Sequence, residues 1–190
     1  MPLADAERWN TRYSQDERYL GDIPPRHFLV ENATCLPTKG LALDAAMGLG
    51  GNAGFLLERG LRVVGVDVSW VAARQAKARL PGLMAAVADL TCFHLPDEHF
   101  DVILNFYFLQ RELWKQYRRA LRPGGILVIE TLMQEMHNIR PDIDPQYLLH
   151  PGELKAAFKD WQILTYREGW VETETRHPKA LASLIACRPA

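Results

Sequence analysis

Three acids and one run of glycines carry the chemistry this sequence could do. Asp44 follows a short apolar run, Leu41-Ala42-Leu43, and precedes a glycine-rich turn, Gly48-Leu49-Gly50-Gly51. Asp67 closes a second apolar run, RVVGVD, and Asp89 closes a third, MAAVAD. Backbone without side chains lets a ligand approach closely, and the free N–H groups of a helix start point at whatever stands before them. An apolar strand, a tight glycine turn and a helix start together place a nucleotide-like cofactor at the carboxyl end of a parallel strand.

The acids bear on which cofactor. Gly48-x-Gly50-x-x-Ala53 satisfies the dinucleotide fingerprint, and Asp67 lies 19 residues beyond Gly48, about where a ribose-binding acid is expected. An NAD-linked oxidoreductase is therefore one reading. Asp44 speaks against it, because a carboxylate beside the loop would repel a pyrophosphate. It suits a ligand with a positive group, and S-adenosylmethionine carries an ammonium and a sulfonium but no phosphate. Asp89 could accept a hydrogen bond from the exocyclic amine of an adenine. Asn105, at the end of the run FDVILNF, is the best candidate near the reacting group, as a binder or a catalytic residue. Tyr107, two residues on, could point the same way. Asn105 also reads as a plain strand cap.

The elements that must position these residues alternate regularly. Apolar runs at 41–44, 62–67, 84–89, 100–106 and 126–130 read as strands. Helices are expected at 52–59, 70–80 and 110–121. Gly60 serves as a C-cap, Ser69 as an N-cap, and Pro81-Gly82 and the Arg122–Gly125 stretch as stops. Such alternation predicts a parallel sheet covered on both faces. After 130 the pattern changes. Residues 131–149 form a long connection without a clear period, and such loops in compact domains are usually functional or mobile. A short helix is expected at 151–158. Two strands, 161–168 and 181–187, joined by a polar turn, then add an antiparallel hairpin.

At the other end, Trp9 and Tyr13 stand four residues apart on one helical face, with Tyr19 beyond. Two readings fit this segment: a surface helix stapled by its aromatics, or a lid over the cofactor. Pro24-Pro25 breaks the helix before a second amphipathic stretch, 26–35.

Length and composition set the frame. A chain of 190 residues fits a single domain (1–190), with 1–36 as a helical lid or extension and 37–190 as the core. A net charge of −1 argues against binding driven by nucleic-acid phosphates. Cys35, Cys92 and Cys187 lie far apart and form no CxxC pair, so they read as reduced thiols. No apolar run is long enough for a membrane span and the first residues do not read as a signal peptide, so the expected location is cytoplasmic. No His/Cys cluster has metal-ligand spacing, and no metal is expected. His94, His99 and His177 read as solvated loop residues. His150 reads as a helix cap or pocket lining, and Arg118, Arg119 and Arg122 as cations at a helix end.

The motifs, taken together, resemble those of the class I S-adenosylmethionine-dependent methyltransferases over nearly the whole chain. LALDAAMGLG resembles their first motif, VVGVDVS the second, VADL the adenine-binding segment, FDVILNF the fourth, and LRPGG with its strand the fifth. WNTRY, NFYFLQREL and YLLHPGEL are similar to the small tellurite-resistance-type branch. The resemblance implies a three-layer α/β/α Rossmann-like sandwich with a seven-stranded, mostly parallel sheet, order 3-2-1-4-5-7-6, the last strand antiparallel. It implies S-adenosyl-L-methionine as cofactor and S-adenosyl-L-homocysteine as product. The cofactor contacts it implies are Asp44, Ala46, Gly48, Gly50, Asp67, Val68, Asp89, Leu90 and Asn105. It places contacts to a small-molecule acceptor at Trp9, Arg12, Tyr13, Tyr19, Arg26, His137 and Asn138. Ala46 departs from the family pattern, which has glycine there; at the strand-proximal position a positive φ need not be required. A monomer or a homodimer is compatible with the sequence. Besides a methyltransferase and an oxidoreductase, a non-catalytic cofactor-binding module and an enzyme acting on RNA or a protein side chain stay open.

Overall fold

The computed structural model describes residues 2–19, 21, 23–172 and 177–190. Its centre is a seven-stranded sheet. The strands are β1 (Leu41–Ala45), β2 (Arg62–Asp67), β3 (Met84–Val87), β4 (Phe100–Phe106), β5 (Leu121–Leu132), β6 (Gln162–Val171) and β7 (Lys179–Cys187). They lie in the order β3-β2-β1-β4-β5-β7-β6. Strands β1 to β5 are mutually parallel, and β7 runs antiparallel to both β5 and β6. This is the expected order, with the last strand reversed. Residues 173–176, between β6 and β7, lie outside the described residues.

Side chains alternate across each strand, so each strand feeds two cores. Leu41, Leu43 and Ala45 of β1 pack on one face with α5 (Leu113–Ala120) and α6 (Glu153–Ala157). Ala42 packs on the other face with α2 (His27–Glu31), α3 (Gly51–Glu58) and α4 (Trp70–Arg79). Helix α1 (Pro2–Gln15) sits apart, with Tyr13 in a small cluster with Leu49, Val71 and Ala72. Its partners are thus the glycine turn and α4. Ser69 caps α4, its hydroxyl accepting from the Ala72 N–H at 3.2 Å.

The differences from expectation have local causes. Strand β5 starts at Leu121, because LRPGG joins the sheet across an irregularity between Phe100 and Val102. Helix α5 starts late, since Arg111 is drawn out of it: its guanidinium bonds Glu153 (2.5 and 3.0 Å) and the carbonyls of Gln146 and Leu148. Strand β3 ends at Val87, so Asp89 lies in the following turn. The connection 131–149 holds two 3-10 turns, Gln134–Asn138 and Pro145–Tyr147, and closes on itself through a bridge between Met133 and Leu149.

Among the described residues, no helix is long and apolar enough to cross a membrane and no cluster of three or more His, Cys, Asp or Glu could hold a metal. The cysteines are free. Arg118, Arg119 and Arg122 pair with Asp160, Asp97 and Asp101, so this group is a set of surface ion pairs. His94, His99 and His177 are exposed.

Candidate functional site

The carboxyl ends of β1 and β2 build the site. In β1, Asp44 is fully buried, and its Oδ2 has no hydrogen-bond partner. Burial pushes its carboxyl up to about 7. The charge of Asp67 adds to this, while the Ala53 backbone N–H and Arg26 oppose it. A buried carboxylate oxygen without a donor is costly, so a site of this kind is built for a donor that arrives with a ligand.

After β1 the backbone winds left-handed three times, at Ala46 (φ 55°), Gly48 (55°) and Gly50 (83°). Gly50 caps α3. Ala46 thus does adopt the positive φ that its position was not expected to need. The turn is tied to β2 twice: Met47 N–H donates to the Val66 carbonyl (3.0 Å), and Gly48 N–H donates to Asp67 Oδ2 (2.8 Å). Ser69 N–H donates to Asp67 Oδ1, also at 2.8 Å. At least one carboxylate oxygen keeps a lone pair for a ligand hydroxyl. Burial raises the Asp67 carboxyl, and backbone N–H groups of Ser69, Gly48 and Val68 pull it back.

Asp89 is half-buried, and its Oδ1 accepts from Thr91 N–H (2.8 Å) and the Thr91 hydroxyl (2.7 Å), which orients the turn. Leu90 beside it is buried. The three acids stand at the carboxyl ends of three adjacent strands. Asp44 and Asp67 lie on neighbouring strands, and Asp89 lies two residues past the end of the next.

Asn105 and Tyr107 do not point the same way. Asn105 turns to the α5 face, where its amide donates to the Tyr117 hydroxyl at 2.8 Å and its own Oδ1 is buried without a partner. Tyr107 has φ 57°, which swings its ring to the opposite core. There Arg26 and Lys179 lie over it, at 4.6 and 4.7 Å from the ring centroid. Near them Glu130, followed in β5 by Thr131 and Leu132, is buried. Its carboxyl is raised by burial and held by the Ser183 hydroxyl (2.7 Å), Arg167 (3.5 Å) and the charge of Arg26.

The N-terminal segment covers this edge. Trp9 stacks on Tyr13 (5.5 Å), Tyr19 meets Tyr13 edge-on (4.9 Å), and the buried Tyr13 hydroxyl lies 2.9 Å from where a Gly48 Cβ would stand. Arg12 lies over Trp9 and is exposed. The stretch 23–26 crosses the start of α3, where Arg26 N–H donates to Asn52 Oδ1 at 2.9 Å. On the other side, the exposed His137 and Asn138 line an open cavity of about 670 Å³ with Arg111, Gln134, Glu135 and His150. The Glu135 Oε2 is buried without a partner, and His150 Nδ1 meets Gln134 Oε1 at 2.7 Å.

Two residues escaped the sequence reading. Glu130 closes the apolar run 126–130 as Asp44 and Asp67 close theirs, so the same rule could have found it. Asn10 lies inside WNTRY between Trp9 and Tyr13, and its side chain reaches α4. Nothing in its spacing announced that.

Comparison with known proteins bears on the fold and the family. Residues 42–125 match the family model described as a methyltransferase domain. A protein of Mycolicibacterium smegmatis, named as a probable S-adenosylmethionine-dependent methyltransferase, is 32% identical over 121 residues, 60% of this chain and 46% of its own length. A protein of Mycobacterium tuberculosis H37Rv with the same description is 32% identical over 95 residues, 47% of this chain and 34% of its own. The chain thus spans less than half the length of these curated relatives. In fold it is similar to TehB from Haemophilus influenzae (TM-score 0.74, 20% identity, 96% of this chain and 67% of that one). It is also similar to a methyltransferase from Methanosarcina mazei (0.68, 21%, 89% and 99%).

Proposed function

We propose that this chain, which carries the methyltransferase domain and the fold of the class I S-adenosylmethionine-dependent methyltransferases, moves a methyl group from that cofactor to a small-molecule acceptor. The observation that carries the reading is Asp44: a buried carboxylate oxygen without a donor, beneath a glycine turn whose backbone is tied to a second acid. An ammonium answers that vacancy, and a pyrophosphate would meet repulsion there. The residues present therefore fit S-adenosylmethionine. Asp44 would take the ammonium, Asp67 the ribose hydroxyls, and Asp89 with Leu90 the adenine. Val68 and the turn Ala46–Gly50 would supply backbone at close range. The cofactor brings a methyl group on a sulfonium, which is already an activated leaving group for in-line displacement.

The protein's part is to align the acceptor and exclude water, which can supply most of the rate. Helix α1, with Trp9 and Tyr13, and the turn after it, with Tyr19, act as the lid. Arg26 over Tyr107 stands beside Asp44 and Glu130, where it can hold an acidic group of cofactor or acceptor. His137, Asn138 and the cavity beside them form the other wall of the acceptor site. Arg12, at the outer surface of the lid, is left to steering. Asn105, held by its amide bond to Tyr117, keeps its unpartnered Oδ1 for a donor on the cofactor or acceptor. Location in the cytoplasm and a monomeric or dimeric state belong to the same proposal.

Calorimetry with S-adenosylmethionine and S-adenosylhomocysteine, beside NADH, tests the reading. Micromolar to submillimolar binding of the first two and none of NADH is expected. Absence of binding at millimolar cofactor overturns it. Production of S-adenosylhomocysteine with thiol, phenol, amine or metalloid acceptors then separates an enzyme from a binding module.

A further inference from the structure

Asn10 makes a contact that neither the lid nor the cofactor acids need for themselves. Its Oδ1 accepts from the Ser69 hydroxyl at 2.7 Å and from Val71 N–H at 3.3 Å. The amide orientation is settled by the partners: a backbone N–H can only donate, so the oxygen faces it. Ser69 is fully buried. Its hydroxyl has one proton, given to Asn10, and a lone pair that takes Ala72 N–H at 3.2 Å. Its backbone N–H in turn holds Asp67 Oδ1 at 2.8 Å. One side chain from α1 thus supplies two of the contacts that fix the start of α4, and the third residue in the line is the carboxylate at the end of β2.

We propose that Asn10 is a positioning residue for Asp67: by taking the Ser69 hydroxyl proton and the Val71 N–H, it locks the Asp67–Ser69 turn in the orientation that receives the cofactor ribose when the lid is down. Lid closure and carboxylate orientation are then one event. Removing Asn10 leaves a buried hydroxyl proton and an N-terminal N–H of α4 without partners, and the turn gains freedom. Tyr13 stays on the glycine turn through its own packing, so the lid can still close. Asp67 keeps its bond to Gly48 but loses the fixed geometry on its other side.

This inference rests on the reading that Asp67 holds the ribose. The test measures S-adenosylhomocysteine affinity by calorimetry and its release rate by stopped-flow tryptophan fluorescence, on the full chain at pH 8. Four proteins are compared: wild type, Asn10→Ala, Asp67→Asn and the double variant. Asn10→Ala is expected to weaken binding about tenfold, mostly through faster release, and to lower the melting temperature of the ligand-free protein equally in both backgrounds, because the orphaned Ser69 hydroxyl and Val71 N–H cost stability whether or not residue 67 is charged. In the Asp67→Asn background the same substitution is expected to cost less than about twofold in affinity, because the oriented carboxylate is already gone. Equal losses of affinity in both backgrounds would assign Asn10 to lid packing alone and overturn the proposal. So would an Asn10→Ala protein that binds and releases like wild type. If wild type binds no S-adenosylhomocysteine, the functional reading falls and takes this inference with it. If wild type binds and Asp67→Asn binds equally well, only the role of Asp67, and hence of Asn10, is refuted.

Discussion

The backbone amide of Gly48 and Oδ2 of Asp67 lie 2.8 Å apart, so the glycine turn after β1 and the acid ending β2 are one hydrogen-bonded unit. Asp67→Ala removes the ligand contact and also frees two backbone donors, those of Gly48 and Ser69. Losing bonds to a charged acceptor costs about 1–3 kcal/mol each in a buried setting. Affinity for S-adenosylhomocysteine is expected to fall at least about tenfold, with a lower melting temperature. Unchanged affinity would remove Asp67 from the site.

Asp44 makes stability and binding respond to pH in opposite directions. Its folded carboxyl is pushed up to about 7, against about 3.9 for an unfolded aspartate. Between these values the folded chain holds a proton that the unfolded chain has lost. Stability of the ligand-free protein therefore falls as pH rises from about 4 to about 7 and levels off above. The raised carboxyl of Asp67 adds in the same sense. A cationic ligand needs the charged form, so its affinity rises through pH 7. Denaturant melts at pH 5 and pH 8, with calorimetry at both, check this. Asp44→Asn should flatten the stability slope and weaken the cofactor at pH 8. A wild-type slope of the opposite sign would contradict the assignment.

Ala46 holds φ 55° where its methyl group is a hindrance. An L-residue in that region costs about 1–2 kcal/mol, and glycine gives back about 0.5–1 kcal/mol in chain entropy. Ala46→Gly is therefore expected to stabilise the chain by about 0.5–1 kcal/mol in urea unfolding. Destabilisation would mean that the methyl group contributes packing that outweighs its strain.

Gly51 is where the strap before α2 lies on the start of α3. A Cβ there would stand 2.6 Å from the carbonyl oxygens of both Ile23 and Pro24, which are backbone atoms and cannot step aside alone. Gly51→Ala should lift the strap, release Arg26 N–H from Asn52, and cost about 1–3 kcal/mol. Faster proteolysis within the first 36 residues, relative to wild type, is the readout. A variant as resistant as wild type would show that the strap can shift without loss.

Much of the fold was readable because its signals are local. Apolar runs such as RVVGVD and FDVILNF state a strand by composition, and Gly60 and Ser69 punctuate helices within a few residues. The strand order followed from the motif resemblance and from the absence of room for a crossover before the final strand. The boundaries that moved did so for distant reasons. LRPGG reads as a stop, yet it pairs with Phe100 and continues β5. Arg111 reads as helix, yet Glu153 and two carbonyls 35 and 37 residues away draw it out.

The sequence alone determined the alternation of strands and helices, the glycine turn and the acids at strand ends, because each depends on neighbours within one turn or one strand. Only the tertiary structure decided where those acids stand electrically and which side chains serve them. Asp44 is orphaned because the sheet and α3 bury it from both sides. Asn105 and Tyr107 part company because one positive φ reverses a strand's alternation. Asn10 matters because α1 folds back onto a helix 59 residues further on. Long-range burial and close approach have no period in a sequence, and they set the charge state and the orientation on which a site depends.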